Sequence, residues 1–229
     1  MRLNKFIAST GYCSRRKADE LIFNGQVKVN NEIILAPGYE VKDKDIVKVE
    51  DNILSLTNYK YYIFYKPINV LTSYDDSRGR KCLKDFDFFK KNNLAYSGRL
   101  DYKSEGLILF TNNGELIYKL QTPKFKVEKE YIVEVSKNLK EKERLTLEDG
   151  LKTVEYNYGK CKITEIEKGK YRVILTEGKN RQIRNMFNYF GIKVINLKRV
   201  RIGELKLNGL KPGEIKEIPE YIIKEYFNV

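Results

Sequence analysis

The chain has no histidine, and that gap removes a large part of enzyme chemistry. Ser-His-Asp and Cys-His nucleophilic devices are excluded, and so is every histidine-ligated metal site. Any catalysis has to rest on carboxylates, Tyr, Lys, Arg, Ser or backbone groups. Cysteine is scarce: Cys13, Cys82 and Cys161 are odd in number, widely separated and free of any CxxC pair, so reduced, incidental thiols are expected. Long apolar runs are also missing. The longest are short, such as Leu107–Phe110, against the roughly 20 residues that cross a bilayer. The basic start, Met1-Arg2-Leu3-Asn4-Lys5, is not followed by an apolar stretch of signal-peptide length. These features predict a cytoplasmic protein. No internal repeat or low-complexity segment stands out.

What is present is an ordinary globular composition with a strong positive bias. Of 229 residues, 41% are hydrophobic and 33% charged, enough for one large domain or a small one beside a medium one. The formal net charge of +13 points to a polyanionic partner, bound with release of counterions from phosphates. A general bias towards Lys, Asn, Ile and Tyr would supply part of that excess, so the placement of the cations matters more than their number.

The pattern divides the chain in two. In residues 1–55, Leu3, Phe6 and Ile7 share a helical face, and Gly11 interrupts it. Ser14 is a good N-cap for a second helix carrying Ala18, Leu21 and Ile22, which Gly25 would close. Val27 and Val29 alternate as in a strand, Asn30-Asn31 turns, and Ile33, Leu35, Ile46, Val47 and Val49 continue as short strands after the Pro37-Gly38 turn. Asn52 to Lys60, with Ser55, Thr57 and Asn58, reads as a linker. Residues 60–229 read as a second domain. Its expected strands are Tyr61–Tyr65, Leu107–Thr111, Tyr131–Val135, Cys161–Ile166, Tyr171–Thr176 and Lys193–Arg201. Its expected helices are Gly114–Leu120, Lys140–Leu147 and Arg181–Phe190. Strands and helices do not alternate strictly, which argues against a doubly wound parallel sheet and for an α+β fold: a mixed, mainly antiparallel sheet with flanking helices.

Two constellations carry chemistry. The first is Arg15, Arg16 and Lys17 at the start of the second helix, with Lys5 one helix earlier. Backbone N–H groups at that helix start add attraction for phosphate, although such a cluster alone is equally a solvated face. The full string Leu3, Lys5, Phe6, Ala8, Gly11, Ser14, Arg15, Arg16, Ala18, Leu21, Ile22, Gly25, Val27, Val29 and Asn30 is similar to the αL-type RNA-binding module shared by a small-subunit ribosomal protein and several RNA-modifying enzymes. The second is Gly98-Arg99-Leu100-Asp101-Tyr102-Lys103-Ser104-Glu105-Gly106-Leu107, a glycine-flanked loop that presents a carboxylate just before an apolar strand. By itself such an Asp is usually a turn residue. The string resembles the G-R-L-D-x-x-(S/T)-x-G-L signature of bacterial ribosomal RNA pseudouridine synthases. Lys66-Pro67, Lys129-Glu130-Tyr131, Glu177 to Met186 and Val194 to Gly203 resemble that family's other segments in the same order. Asn69 stands where the family's K-P-x-G turn has Gly; Asn tolerates positive φ better than most residues.

The resemblance implies a reaction: uridine in structured RNA becomes pseudouridine, with no cofactor or metal. The target base must leave its helix first, at a cost of a few kcal/mol. By resemblance, Asp101 acts at the ribose, either attacking the anomeric carbon or taking a neighbouring proton. An ion pair with Arg184, preferred here over Arg181, would keep Asp101 ionised and oriented. Tyr131 would stack on the uracil, and Leu197 would wall the pocket. Arg99, Lys179 and Arg181 are candidates for RNA contacts near the target. The N-terminal module would grip a nearby RNA helix through shape and phosphates, pivoting on its linker. Taken alone, Tyr131 and Leu197 are packing residues, and Arg181 and Arg184, three apart on one helical face, are solvated or phosphate-binding.

The expected partner is ribosomal RNA, free or in an assembly intermediate, and the expected state is a monomer. Asp76-Ser77-Arg78-Gly79-Arg80 resembles a D-x-x-G-R segment of large-subunit enzymes, which favours large-subunit rRNA. The alternatives are a non-catalytic RNA-binding or ribosome-assembly protein and a pseudouridine synthase acting on tRNA. A hydrolase using Asp101 with Glu105 is more remote.

Overall fold

The computed structural model describes residues 1–56, 58–92 and 94–228. The N-terminal unit opens with α1 (Leu3–Ser9) and α2 (Arg15–Phe23). Ser14 caps α2 as expected, its hydroxyl accepting from the Lys17 amide at 3.2 Å. Gly25, at φ 71°, lets the chain leave the helix and enter β1 (Val27–Val29). Asn30 and Asn31 both take positive φ at the following turn into β2 (Glu32–Ile33). With β3 (Val47–Val49) and β4 (Asn52–Leu54) these strands form a sheet in the order β2-β1-β3-β4. The alternation of Val27 and Val29 with Val47 and Val49 puts all four on one face, packed on Leu3, Ile7, Ala18 and Ile22.

The linker expectation needs correcting here. Asn52–Leu54 is the edge strand β4, with Asn52 opposite Val49 and Leu54 opposite Val47. Its sequence hides it because Leu54 alone turns towards the core while Ile53 stays exposed. Thr57, which the linker was expected to include, lies outside the described residues.

The second part is built on a nine-stranded mixed sheet, which makes the fold α+β as expected. Its elements run β5 (Tyr61–Lys66), α3 (Asp87–Lys91), β6 (Ala95–Tyr96), β7 (Glu105–Thr111), α4 (Gly114–Gln121), β8 (Lys129–Val135), α5 (Glu141–Asp149), β9 (Lys162–Glu167), β10 (Lys170–Leu175), α6 (Gln182–Tyr189), β11 (Val194–Ile202), β12 (Leu205–Lys206), β13 (Ile215–Glu217) and α7 (Glu220–Phe227). The main order is β13-β5-β7-β11-β8-β10-β9, with β12 beside β11 and β6 beside β7. Among the described strands only β7 and β11 pair in parallel; the rest of the sheet is antiparallel.

Strand periodicity sorts this sheet onto two cores. Tyr61, Ile63, Tyr65, Leu107 and Leu109 face α4 and α7, meeting Leu116, Leu120, Ile223 and Phe227. Phe64, Ile108, Phe110, Tyr131, Val133, Val173 and Leu197 face the other way, towards Ile183, Met186 and Phe187 of α6 and Phe89 of α3. Burial on both faces explains why β7 reads as an unbroken apolar run. The elements that escaped the sequence pattern are the short α3, β6, β12 and β13, and α7, which covers one core. The helix expected to start at Arg181 starts at Gln182. Arg181 is its N-cap, held at φ 49°, so its backbone is outside the helix.

β7 and β11 approach unusually closely at one point. Gly106 has φ 114°, and a Cβ there would run into the backbone of Arg199, 2.7 Å from its nitrogen and 2.9 Å from its carbonyl carbon. The glycine in the loop-to-strand motif is thus a steric requirement of this crossing.

Candidate active site

Asp101 sits in the loop between β6 and β7, and that loop is tied down from several directions. The Thr72 hydroxyl donates to the Leu100 carbonyl at 2.9 Å and accepts from the Leu100 amide at 3.1 Å, both buried. The Asn69 amide donates to the Tyr102 carbonyl at 2.7 Å, and the Lys103 ammonium to the Asn69 side chain at 2.9 Å. Asn69 has φ 60°, so it takes the left-handed turn its position demands without glycine. Lys66, fully buried at the end of β5, donates to the carbonyls of Pro67 and Val70, each at 2.7 Å, and shapes the turn that carries Asn69. Burial lowers the Lys66 pKa to about 8 against the opposing fields of Asp101 and Glu105.

Two arginines flank the Asp101 carboxylate, neither at hydrogen-bonding distance. Arg181 Nη1 is 3.7 Å and Arg184 Nε 3.9 Å from the same oxygen, Oδ2. Arg184 is largely occupied elsewhere: Nη2 donates to the Lys103 carbonyl at 2.9 Å and to Ser104 Oγ at 3.1 Å, and Nη1 to the Val194 carbonyl at 3.0 Å. Its buried Nε has no hydrogen-bond partner of its own. Burial and then Arg181 lower its pKa, with Asp101 acting against them. The geometry therefore makes Arg184 a brace between α6, β11 and the Asp101 loop. Arg181, exposed and lining the cavity, is the more accessible of the two cations. The Arg184–Asp101 ion pair expected from the sequence is present as a long contact, and Arg181 shares the same carboxylate oxygen.

A cavity of about 650 Å³ opens beside Asp101, bounded by this loop, the start of α6 and the sheet face of β8, β10 and β11. Tyr131 and Leu197 line it, as do Leu175 and Ile183. Strand register explains the grouping: Tyr131 lies opposite Val173 on β10 and Arg199 on β11, while Leu197 lies opposite Val133. Asp101, Tyr131, Leu197, Arg99, Lys179 and Arg181 thus converge on one space. Sequence reasoning passed over two further charged lining residues, Lys129 and Arg199. The signal was available: each lies two residues along a strand from an expected pocket residue, hence on the same face.

The N-terminal cations lie elsewhere. Arg15, Arg16 and Lys17 are exposed on α2, Lys17 pairing with Glu20 at 2.8 Å. Lys5 donates to Glu115 of α4 at 2.6 Å, and Arg15 also reaches that helix start, close to Gly114. In this arrangement Lys5 joins the two parts of the molecule. Glu105, the second carboxylate that a hydrolase reading would need beside Asp101, accepts from Tyr65 at 2.8 Å and Asn196 at 3.2 Å and does not line the cavity.

A cavity large enough for a base, with one tethered carboxylate at its edge and cations around its rim, defines a site for chemistry on a nucleotide. The chain belongs to the RNA pseudouridylate synthase family, which residues 60–189 match, while residues 1–47 match the S4 domain. It is therefore an RNA pseudouridine synthase, an isomerase. It is 38% identical to ribosomal large subunit pseudouridine synthase B of Bacillus subtilis over 97% of this chain and 94% of that one. To an uncharacterized RNA pseudouridine synthase of Aquifex aeolicus it is 34% identical, covering 98% and 95%. A crystal structure of a pseudouridylate synthase superposes with a TM-score of 0.70 at 27% identity, over 99% of both chains.

Proposed function

We propose that this protein isomerises a uridine of large-subunit ribosomal RNA, with Asp101 as the reacting carboxylate. The observation that carries this reading is the convergence of Asp101, Tyr131 and Leu197 on one cavity beside a loop fixed by Thr72, Asn69 and Arg184. Its ribosomal substrate is supported by the B. subtilis relative, which is similar along nearly the whole chain, and by the Asp76-to-Arg80 segment. That segment is a built loop: the Asp76 carboxylate accepts from the Arg80 guanidinium at 2.7 and 3.1 Å and from the amides of Arg78 and Arg80. Arg80 and Lys103 both lie over the ring of Tyr102, next to Asp101.

In this reading the target uridine leaves its helix and enters the cavity. Tyr131 stacks on the ring and Leu197 closes the opposite wall. Asp101 acts at the ribose, as nucleophile at the anomeric carbon or as base at a neighbouring position. Arg184 holds the Asp101 loop against α6, and Arg181 and Arg99 take phosphates at the rim, with Lys179 beside them. Arg15, Arg16 and Lys17 of the N-terminal unit hold a flanking RNA helix, and the protein works as a cytoplasmic monomer.

The test is incubation of wild type and Asp101→Asn with unmodified large- and small-subunit rRNA transcripts, followed by carbodiimide labelling and primer extension. One new stop in the large-subunit transcript, with wild type only, is the expected result. Modification confined to the small-subunit transcript or to tRNA would overturn the substrate, and modification by Asp101→Asn would overturn the role of Asp101.

A further inference from the structure

Two buried cations at the bottom of the cavity have no part in the roles above. Lys129 and Arg199 are 8% and 2% exposed, and both line the cavity. They stand on adjacent antiparallel strands, Arg199 directly across from Tyr131 and Lys129 two residues before it on the same face. Arg199 Nε donates to the Leu107 carbonyl at 2.7 Å, but its buried Nη2 has no partner. The Lys129 ammonium has one protein acceptor, the Val127 carbonyl at 3.1 Å. Glu130, the carboxylate between Lys129 and Tyr131, faces the other side of the sheet and is taken by Arg201 and Arg172.

A buried pair of like charges facing a cavity is costly unless something negative enters. The burial of Lys129 and the field of Arg199 lower the lysine pKa to about 8, with no carboxylate opposing them. Phosphates of an RNA strand meet the exposed cations at the rim first: Arg99, Lys179 and Arg181. The space beside Tyr131 and above the sheet is left for the base.

We propose that Lys129 and Arg199 form a cationic floor that holds the uracil ring while it carries negative charge, after its bond to ribose has broken. The inference rests on the uridine-isomerisation reading. When the bond from the anomeric carbon to N1 breaks, both electrons stay with the ring, and the charge spreads over N1 and the two carbonyl oxygens. This holds whether Asp101 attacks the anomeric carbon or removes a ribose proton. The ring then turns and C5 bonds to the same ribose carbon, displacing the Asp101 carboxylate where it had attacked that carbon, or with Asp101 returning the proton to the ribose where it had taken one. The C5 proton leaves and N1 gains one, so composition is unchanged. Donors fixed where charge develops lower the barrier, and their charge also keeps the detached ring from escaping.

The experiment measures single-turnover pseudouridine formation and RNA affinity for wild type, Lys129→Met, Lys129→Arg, Arg199→Met and Arg199→Lys, with thermal unfolding of each. The two Met variants should lose about 10²-fold or more in rate, the scale of one charge-stabilising donor, while RNA affinity stays unchanged. The Lys↔Arg variants should keep most of the rate. Lys129→Met should be at least as stable as wild type, because it removes a buried charge. A Lys129→Met protein that turns over like wild type overturns the floor alone. So does one whose loss lies in RNA affinity, which would make the pair a phosphate site, or one that is slow only because it is destabilised. A folded, RNA-binding wild type that modifies no RNA overturns the isomerisation reading itself, and the floor's role falls with it.

Discussion

Gly106→Ala should damage both stability and chemistry. The residue sits at φ 114°, in a region where an L side chain is strained by about 1–3 kcal/mol. The added methyl would also meet the Arg199 backbone, at 2.7 Å from its nitrogen and 2.9 Å from its carbonyl carbon. Backbone atoms inside a paired strand cannot swing aside as a side chain would, so β7 and β11 must separate, a packing cost of about 1–3 kcal/mol. The sum, about 2–6 kcal/mol, is a large share of the stability of an ordinary domain. At about 2–4 °C per kcal/mol for a chain of this size, a mid-range loss lowers the melting midpoint by about 8–16 °C. The same separation moves Asp101, five residues upstream, away from Tyr131 and Leu197, so pseudouridine formation should fall even far below the midpoint. Calorimetry and single-turnover assays at 20–25 °C below the variant's midpoint, roughly where a folded domain is fully populated, separate the two effects. A midpoint close to that of wild type, or normal turnover, would refute the steric argument.

Two further outcomes follow from charge. Glu115→Gln should change stability by less than about 1 kcal/mol, since the Lys5–Glu115 pair is largely exposed. It should also steepen the salt dependence of RNA binding by about one phosphate contact, because Lys5 is released; an unchanged slope in filter binding would show that Lys5 never meets RNA. The Lys129 pKa of about 8, against an ordinary 10.5, means that folding disfavours its charged form. Below pH 8 the lysine is charged in both folded and unfolded chains and the full penalty applies. The penalty fades as pH rises from 8 to 10.5. The gap corresponds to about 3 kcal/mol, so the stability advantage of Lys129→Met in urea unfolding should be greatest near neutral pH and shrink towards pH 10. An advantage independent of pH would mean that Lys129 is not buried as a cation.

The strands and helices with strong periodicity were legible in the sequence: α2 with its Ser14 cap, the doubly buried β7, the alternating β8. What escaped was held by tertiary context. β4 has one side chain facing the core, and β13 is three residues that exist as a strand because Phe64 and Tyr62 offer them a partner edge. α7 carries only Ile223 and Phe227 into the core, too few to announce a helix without the sheet face they cover. The helical spacing of Arg-Gln-Ile-Arg puts Arg181 inside α6, but the residue lies just outside it. Its left-handed backbone, which frees it to reach Asp101 Oδ2, leaves no mark in composition.

The site shows the same division more sharply. Motif strings pick out Asp101, Tyr131 and Leu197, which meet at one cavity, and strand alternation, applied one step further, puts Lys129 and Arg199 there too. The division of labour between Arg181 and Arg184 could not be read that way, because both are three-dimensional neighbours of the same carboxylate. Only the hydrogen bonds separate them: Arg184 gives both its Nη atoms to Lys103, Ser104 and Val194, three groups that fix the Asp101 loop and the start of β11. Truncating Arg184 therefore removes a structural brace as well as a nearby charge, whereas truncating Arg181 removes a charge at the rim. The cations around this pocket thus fall into three layers, at the rim, behind the carboxylate and buried against the sheet. A net charge of +13 cannot distinguish them, since burial and hydrogen bonding, not number, decide what each one does.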